Sequence, residues 1–86
     1  MCLGIPGRVL ERWEESSGAP MARVDFAGEE QRVCLAYLPD LVVGDYLIAH
    51  MGYALTKLDE ETARSTTALM RDYGVLPPAE QPGSAA

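Results

Sequence analysis

Cys2, directly behind Met1, is the residue of this chain best placed to do chemistry. Removal of Met1 would leave a free α-amine and a thiol on adjacent carbons, and Cys2 is small enough for that trimming. Thiolate, not thiol, binds metals and attacks electrophiles, and a nearby cation lowers a cysteine pKa from about 8.5. An α-ammonium of pKa about 7.7–8.0 supplies that charge without any fold. Sulfur and amine together could close a five-membered chelate ring on a borderline metal such as low-spin iron. The competing reading is an unused chain end, since first residues are often poorly ordered. Leu3, Ile5 and Pro6 speak against it, because apolar residues in such a run want burial.

His50 is the one histidine, set in GDYLIAHMGYAL with apolar neighbours on both sides. Two readings are open. A lone histidine there is either a partly buried, packed residue bonded to backbone, or a strand-end ligand whose neutral nitrogen binds a metal. Cys34 reads as a small hydrophobe between Arg32 and Ala36. Trp13, Tyr37, Tyr46 and Tyr53 could stack bases, yet aromatics at alternating strand positions more often serve core or interface. Asp59, Glu60 and Glu61 are explained by helix capping. A cysteine–histidine catalytic pair would need an orienting group and an oxyanion hole, and neither is marked in the sequence. No enzymatic turnover is expected; Cys2 and His50 look like a minimal ligand set left for a partner to complete.

The 86 residues, 9.3 kDa, carry a net charge of −6 and a pI near 4.5. A chain of this size buries roughly 60–65% of its unfolded surface, enough for one modest core. Phosphate backbones demand clustered Lys and Arg; the 7 basic residues here are scattered singly, so nucleic acid is not an expected partner. No apolar run approaches the roughly 20 residues that span a bilayer, and no signal peptide is apparent. No membrane partner is expected. Two cysteines make a poor disulfide scaffold, and free thiols in a reducing cytoplasm are expected.

The elements that must hold Cys2 and His50 can be read from periodicity. Arg8–Trp13 reads as a strand, followed by a polar turn at Glu14–Gly18. Ala22, Val24 and Phe26 alternate with Arg23 and Asp25, and after a turn at Ala27–Glu30 the strand Arg32–Tyr37 returns with Val33, Leu35 and Tyr37 on its apolar face. Asp45–Leu55 reads as a buried strand that bends or bulges at Gly52 and continues toward Lys57. Asp59 should cap a helix running to about Tyr73, with Gly74 as its stop and Ala63, Thr66, Leu69, Met70 and Tyr73 as its apolar face. Residues 1–76 form one expected domain, and 77–86 an expected flexible tail. Short strands, glycine-rich turns and one helix predict a mainly β fold, a small barrel whose closure removes exposed edges.

Three blocks carry a resemblance: Met1-Cys2-Leu3-Gly4-Ile5-Pro6-Gly7, Gly44–Ala54 (GDYLIAHMGYA) and Asp59-Glu60-Glu61-Thr62-Ala63. Together they resemble the small maturation chaperones of nickel–iron hydrogenases, the HypC/HupF/HybG type, over roughly residues 1–76. The resemblance implies an OB-like five-stranded barrel with a C-terminal α-helix. It also implies transient handling of iron as the Fe(CN)2CO unit, with no permanently bound cofactor. The implied partners are a HypD-type iron–sulfur maturation protein and the nickel-free large-subunit precursor. The family's terminal cysteine corresponds to Cys2 and its motif histidine to His50, the two implied metal ligands. Cys2, Leu3, Gly4, Ile5 and Pro6 would form the partner-binding segment. Cys34 matches no motif of that family. The alternative is a general metal-trafficking or redox adaptor on the same barrel.

Overall fold

The computed structural model describes residues 4–76. Met1, Cys2, Leu3 and the segment 77–86 lie outside the described residues. Five strands precede one helix: β1 (Gly7–Glu14), β2 (Pro20–Phe26), β3 (Glu29–Cys34), β4 (Tyr46–His50), β5 (Tyr53–Leu58) and α1 (Glu60–Asp72). The strands close into a barrel in the order β1-β2-β3-β5-β4, returning to β1. The barrel is OB-like and mainly β, as the sequence predicts.

Alternation decides which side chains fill it. Ala22, Val24 and Phe26 point inward from β2, Val33 from β3 and Leu35 just after it, and Leu47, Ala49 and Ala54 from β4 and β5. Val9 and Leu41 complete the core, with Ile5 and Leu38 packed against it. Small alanines on β2, β4 and β5 beside larger Val, Leu and Phe fit a narrow interior. Arg12 ties the β3–β4 connection to β1, donating from Nη1 to the carbonyl of Pro39 at 3.0 Å and to that of Leu41.

Two expectations fail here. Asp45–Leu55 is not one bent strand but the hairpin β4–β5; the register irregularity falls between Ile48 and Ala49, and Gly52 is a turn residue. The run is largely apolar on both sides of His50 and Gly52, and nothing in its periodicity separates two strands from one. Tyr37 is 66% exposed and lies beyond β3, whose last residue is Cys34.

α1 begins where Asp59 accepts a hydrogen bond from the Thr62 N–H at 2.7 Å. It stops at Gly74, whose φ of 77° permits the N–H groups of Gly74 and Val75 to reach the carbonyls of Arg71 and Met70. That pair of bonds is the Schellman pattern. The expected apolar face is largely unburied: Ala63 is enclosed, whereas Leu69 and Tyr73 are 54% and 78% exposed. Near-helical spacing recorded the positions, but the barrel meets only a short length of the helix.

Candidate functional site

His50 ends β4 and stands directly opposite Tyr53, the first residue of β5, across a two-residue hairpin. Both turn residues, Met51 (φ 54°) and Gly52 (φ 84°), are left-handed. Paired positive φ is the type I′ pattern, whose twist matches that of the flanking strands. The Gly52 carbonyl accepts from the Cys34 N–H at 2.7 Å, which clips the hairpin tip to the end of β3. The Tyr53 ring meets Tyr37 at a tilt, with 5.5 Å between centroids.

His50 itself is exposed. This corrects the expectation of a partly buried imidazole: Ala49 and Ala54 turn into the barrel, while His50 and Tyr53 turn out. Among the described residues no hydrogen bond or ion pair engages the ring. Nor do three His, Cys, Asp or Glu side chains gather anywhere among them. The arrangement therefore offers a single nitrogen donor on a stiff hairpin, accessible from outside.

The N-terminal segment approaches this hairpin by topology. β1 opens at Gly7 opposite Leu47, and the two strands run antiparallel, so the chain preceding Gly7 enters on the His50 half of β4. Gly4 has a left-handed φ of 76°. Pro6 is buried and Ile5 packs against the barrel core. Their apolar surface is thus applied to this chain itself. Cys2 and Leu3 lie outside the described residues. A cleft of about 380 Å³ opens between α1 and the barrel, walled by Pro6, Arg8, Tyr46 and Arg64 among others, and His50 is not part of it.

Residues 1–70 match the HupF/HypC family. The chain belongs to that family. The hydrogenase maturation factor HypC of Azotobacter chroococcum is 46% identical over 81 residues, covering 94% of this chain and 92% of the relative. The HypC of Cupriavidus necator is 42% identical over 83 residues, covering 95% and 88% respectively. The hydrogenase maturation factor HybG of Escherichia coli K12 is 31% identical over 81 residues, covering 87% and 96%.

Within this HupF/HypC barrel, sequence reasoning picked out His50 but not its surroundings. The aromatic platform considered from the sequence divides: Tyr37 and Tyr53 meet beside His50, Tyr46 lines the α1 cleft, and Trp13 holds Glu15 through its indole N–H. Only register brings Tyr53 to His50 and to Cys34. A turn signal at Met51-Gly52 would have revealed the first of these pairings; Met, unlike Asn or Asp, gives none. No helix among the described residues is long and apolar enough to cross a membrane.

Proposed function

We propose that this chain is a hydrogenase maturation chaperone, which helps build the Fe(CN)2CO unit with an iron–sulfur maturation partner and delivers it to the nickel-free large-subunit precursor. The observation that carries the reading is similarity along almost the whole chain to proteins named hydrogenase maturation factors, together with a family match that spans residues 1–70.

The chemistry of the chain's own groups supports it. Cys2 thiolate is a soft donor suited to low-spin iron, and the α-amine exposed by loss of Met1 would add a second donor on the same residue. Ile5 packs against the barrel core and Pro6 is buried, so the described chain is fixed on the barrel up to Gly4. His50, exposed and without a partner among the described residues, can contribute a nitrogen or a hydrogen bond to cargo held by the thiolate. A donor set this sparse binds weakly alone and releases readily, which suits a carrier. The chain acts as carrier and chaperone rather than as a catalyst.

The test is to isolate the chain with its iron–sulfur partner and look for bound iron with cyanide and carbonyl infrared bands. Wild type should carry both signals, and Cys2→Ala should lose them while its circular dichroism stays unchanged. Iron without diatomic bands would instead favour the general metal-trafficking adaptor. A Cys2→Ala chain that unfolds would make the residue structural and remove the ligand argument.

A further inference from the structure

α1 stands apart from the core it leans on. The residues that pack together inside the barrel run from Val9 to Ala54, and neither Ala63 nor Leu76 is among them. Those two are the buried residues of the segment that follows β5. Of the 13 residues in α1, Ala63 alone is buried, so the helix gives the barrel a single methyl group. Along the turns between Ala63 and Leu76 the two surfaces part. The cleft of about 380 Å³ has Arg64, Thr67 and Arg71 on its helix wall and Pro6, Arg8 and Tyr46 on its barrel wall.

The polar bonds that shape the helix do not fasten it either. Asp59 caps it through the Thr62 N–H, and Arg64 pairs with Glu60 one turn back. The N–H groups of Gly74 and Val75 close its end on the carbonyls of Arg71 and Met70. Each of these bonds joins the segment to itself. An isolated helix of this length is marginal in water, and Thr62, Ser65, Thr66 and Thr67 are weak helix formers. Leaving the barrel and unravelling are therefore one event. Proteins open in units whose free energies run from near zero to the global value, and few buried apolar contacts mark the low end.

We infer that α1 is a separately melting strap: residues 60–76 undock and unravel while the five-stranded barrel stays closed. Opening removes the helix wall of the cleft and bares Pro6, Arg8 and Tyr46, where β1 and the segment before it meet β4. Neither His50 nor Tyr53 lines the cleft, so the hairpin at the far end of β4 keeps its pairing in the open state. The device is independent of the cargo the chain carries.

The test is hydrogen exchange of the full wild-type chain, read by mass spectrometry in buffer and in low urea. Amides of residues 64–72 should show protection roughly 30-fold or more below that of β2 and β3, with a weaker urea dependence. A smaller gap would mean that helix and barrel open together, and the inference fails. Ala63→Asp puts a charge on the one buried contact of α1. Helical ellipticity and α1 protection should be lost in it, while protection in β2, β3 and the hairpin stays within about threefold of wild type. Loss of barrel protection in this variant would overturn the inference. Ser65→Ala, at an exposed position, improves helix propensity without touching the barrel. It should raise α1 protection about twofold and leave β2 and β3 unchanged; an equal rise in the strands would show a single unit and sink the idea.

Discussion

Gly7 is seated against the ring of Phe26. A Cβ built on Gly7 would come within 2.5 Å of Phe26 Cε1 and of Val24 Cγ1, where no ordinary contact exists. Here the glycine is required by close approach, not by a left-handed backbone. It opens β1 opposite Leu47 and lets the first strand close the barrel against β2 and β4. Gly7→Ala should therefore destabilise the fold by about 1–3 kcal/mol, the range for overpacking a tight core, read as a lower urea midpoint with unchanged m. Phe26→Leu in the same chain should recover part of the loss by vacating the ring's space. Equal stability of Gly7→Ala and wild type would mean that the barrel end is looser than described.

Met51 departs from local preference in a different way. It is 80% exposed and holds a φ of 54°, which costs a non-glycine L-residue on the order of 1–2 kcal/mol. Asn-Gly is the preferred pair for such a turn. Met51→Asn should therefore stabilise the chain by about 0.5–1 kcal/mol, a rise of about 2–8 °C in melting temperature for a domain this small. An unchanged or lower melting temperature in Met51→Asn would mean that the left-handed backbone at this turn costs the methionine nothing.

Asp59 gives the fold a pH-dependent element. The Thr62 backbone N–H donates to its carboxylate and holds its pKa below the ordinary carboxylate value. A depressed folded-state pKa adds stability that is present above the unfolded value of about 3.9 and is lost as pH falls through the lower folded one. Helical ellipticity should therefore decline with acid over that window. Asp59→Asn keeps a capping oxygen but removes the titration, so its acid decline should be shallower than that of wild type. Asp59→Ala should melt lower at neutral pH. Identical acid profiles for wild type and the Asp59→Asn variant would mean that other carboxylates control the transition.

The sequence disclosed what depends on short range. Ala22, Val24 and Phe26 are buried as their alternation predicts, and Asp59 and Gly74 delimit α1 because capping chemistry is local. It concealed what depends on register. That Cys34 stands between Met21 and Tyr53, and Tyr53 opposite His50, follows from strand pairings that no single segment encodes. The hairpin at Met51-Gly52 is hidden for a related reason: a run apolar on both sides of Gly52 looks like one strand with a bulge when neither turn residue is Asn or Asp. α1 shows the converse error. Its spacing marks an apolar face correctly, but spacing carries no information about how much of that face a small barrel can cover, and Leu69 and Tyr73 stay in solvent.

His50 allows the proposed function to be separated from the fold. An imidazole buried among apolar residues would couple its removal to a loss of packing. His50 is exposed, and among the described residues nothing bonds to its ring. His50→Ala should therefore change stability by no more than about 0.5 kcal/mol, as for surface positions in general. The same variant should retain less iron and weaker cyanide and carbonyl bands in the complex with the iron–sulfur partner, while Cys2→Ala retains none. His50→Gln, which keeps a hydrogen-bonding end without a metal-ligating imidazole, divides the two possible roles. Recovery of the bands in His50→Gln would assign the imidazole to hydrogen bonding, and continued loss would assign it to coordination. Wild-type iron loading in all His50 variants would remove the imidazole from the proposed cargo site and leave the thiol as its proposed donor.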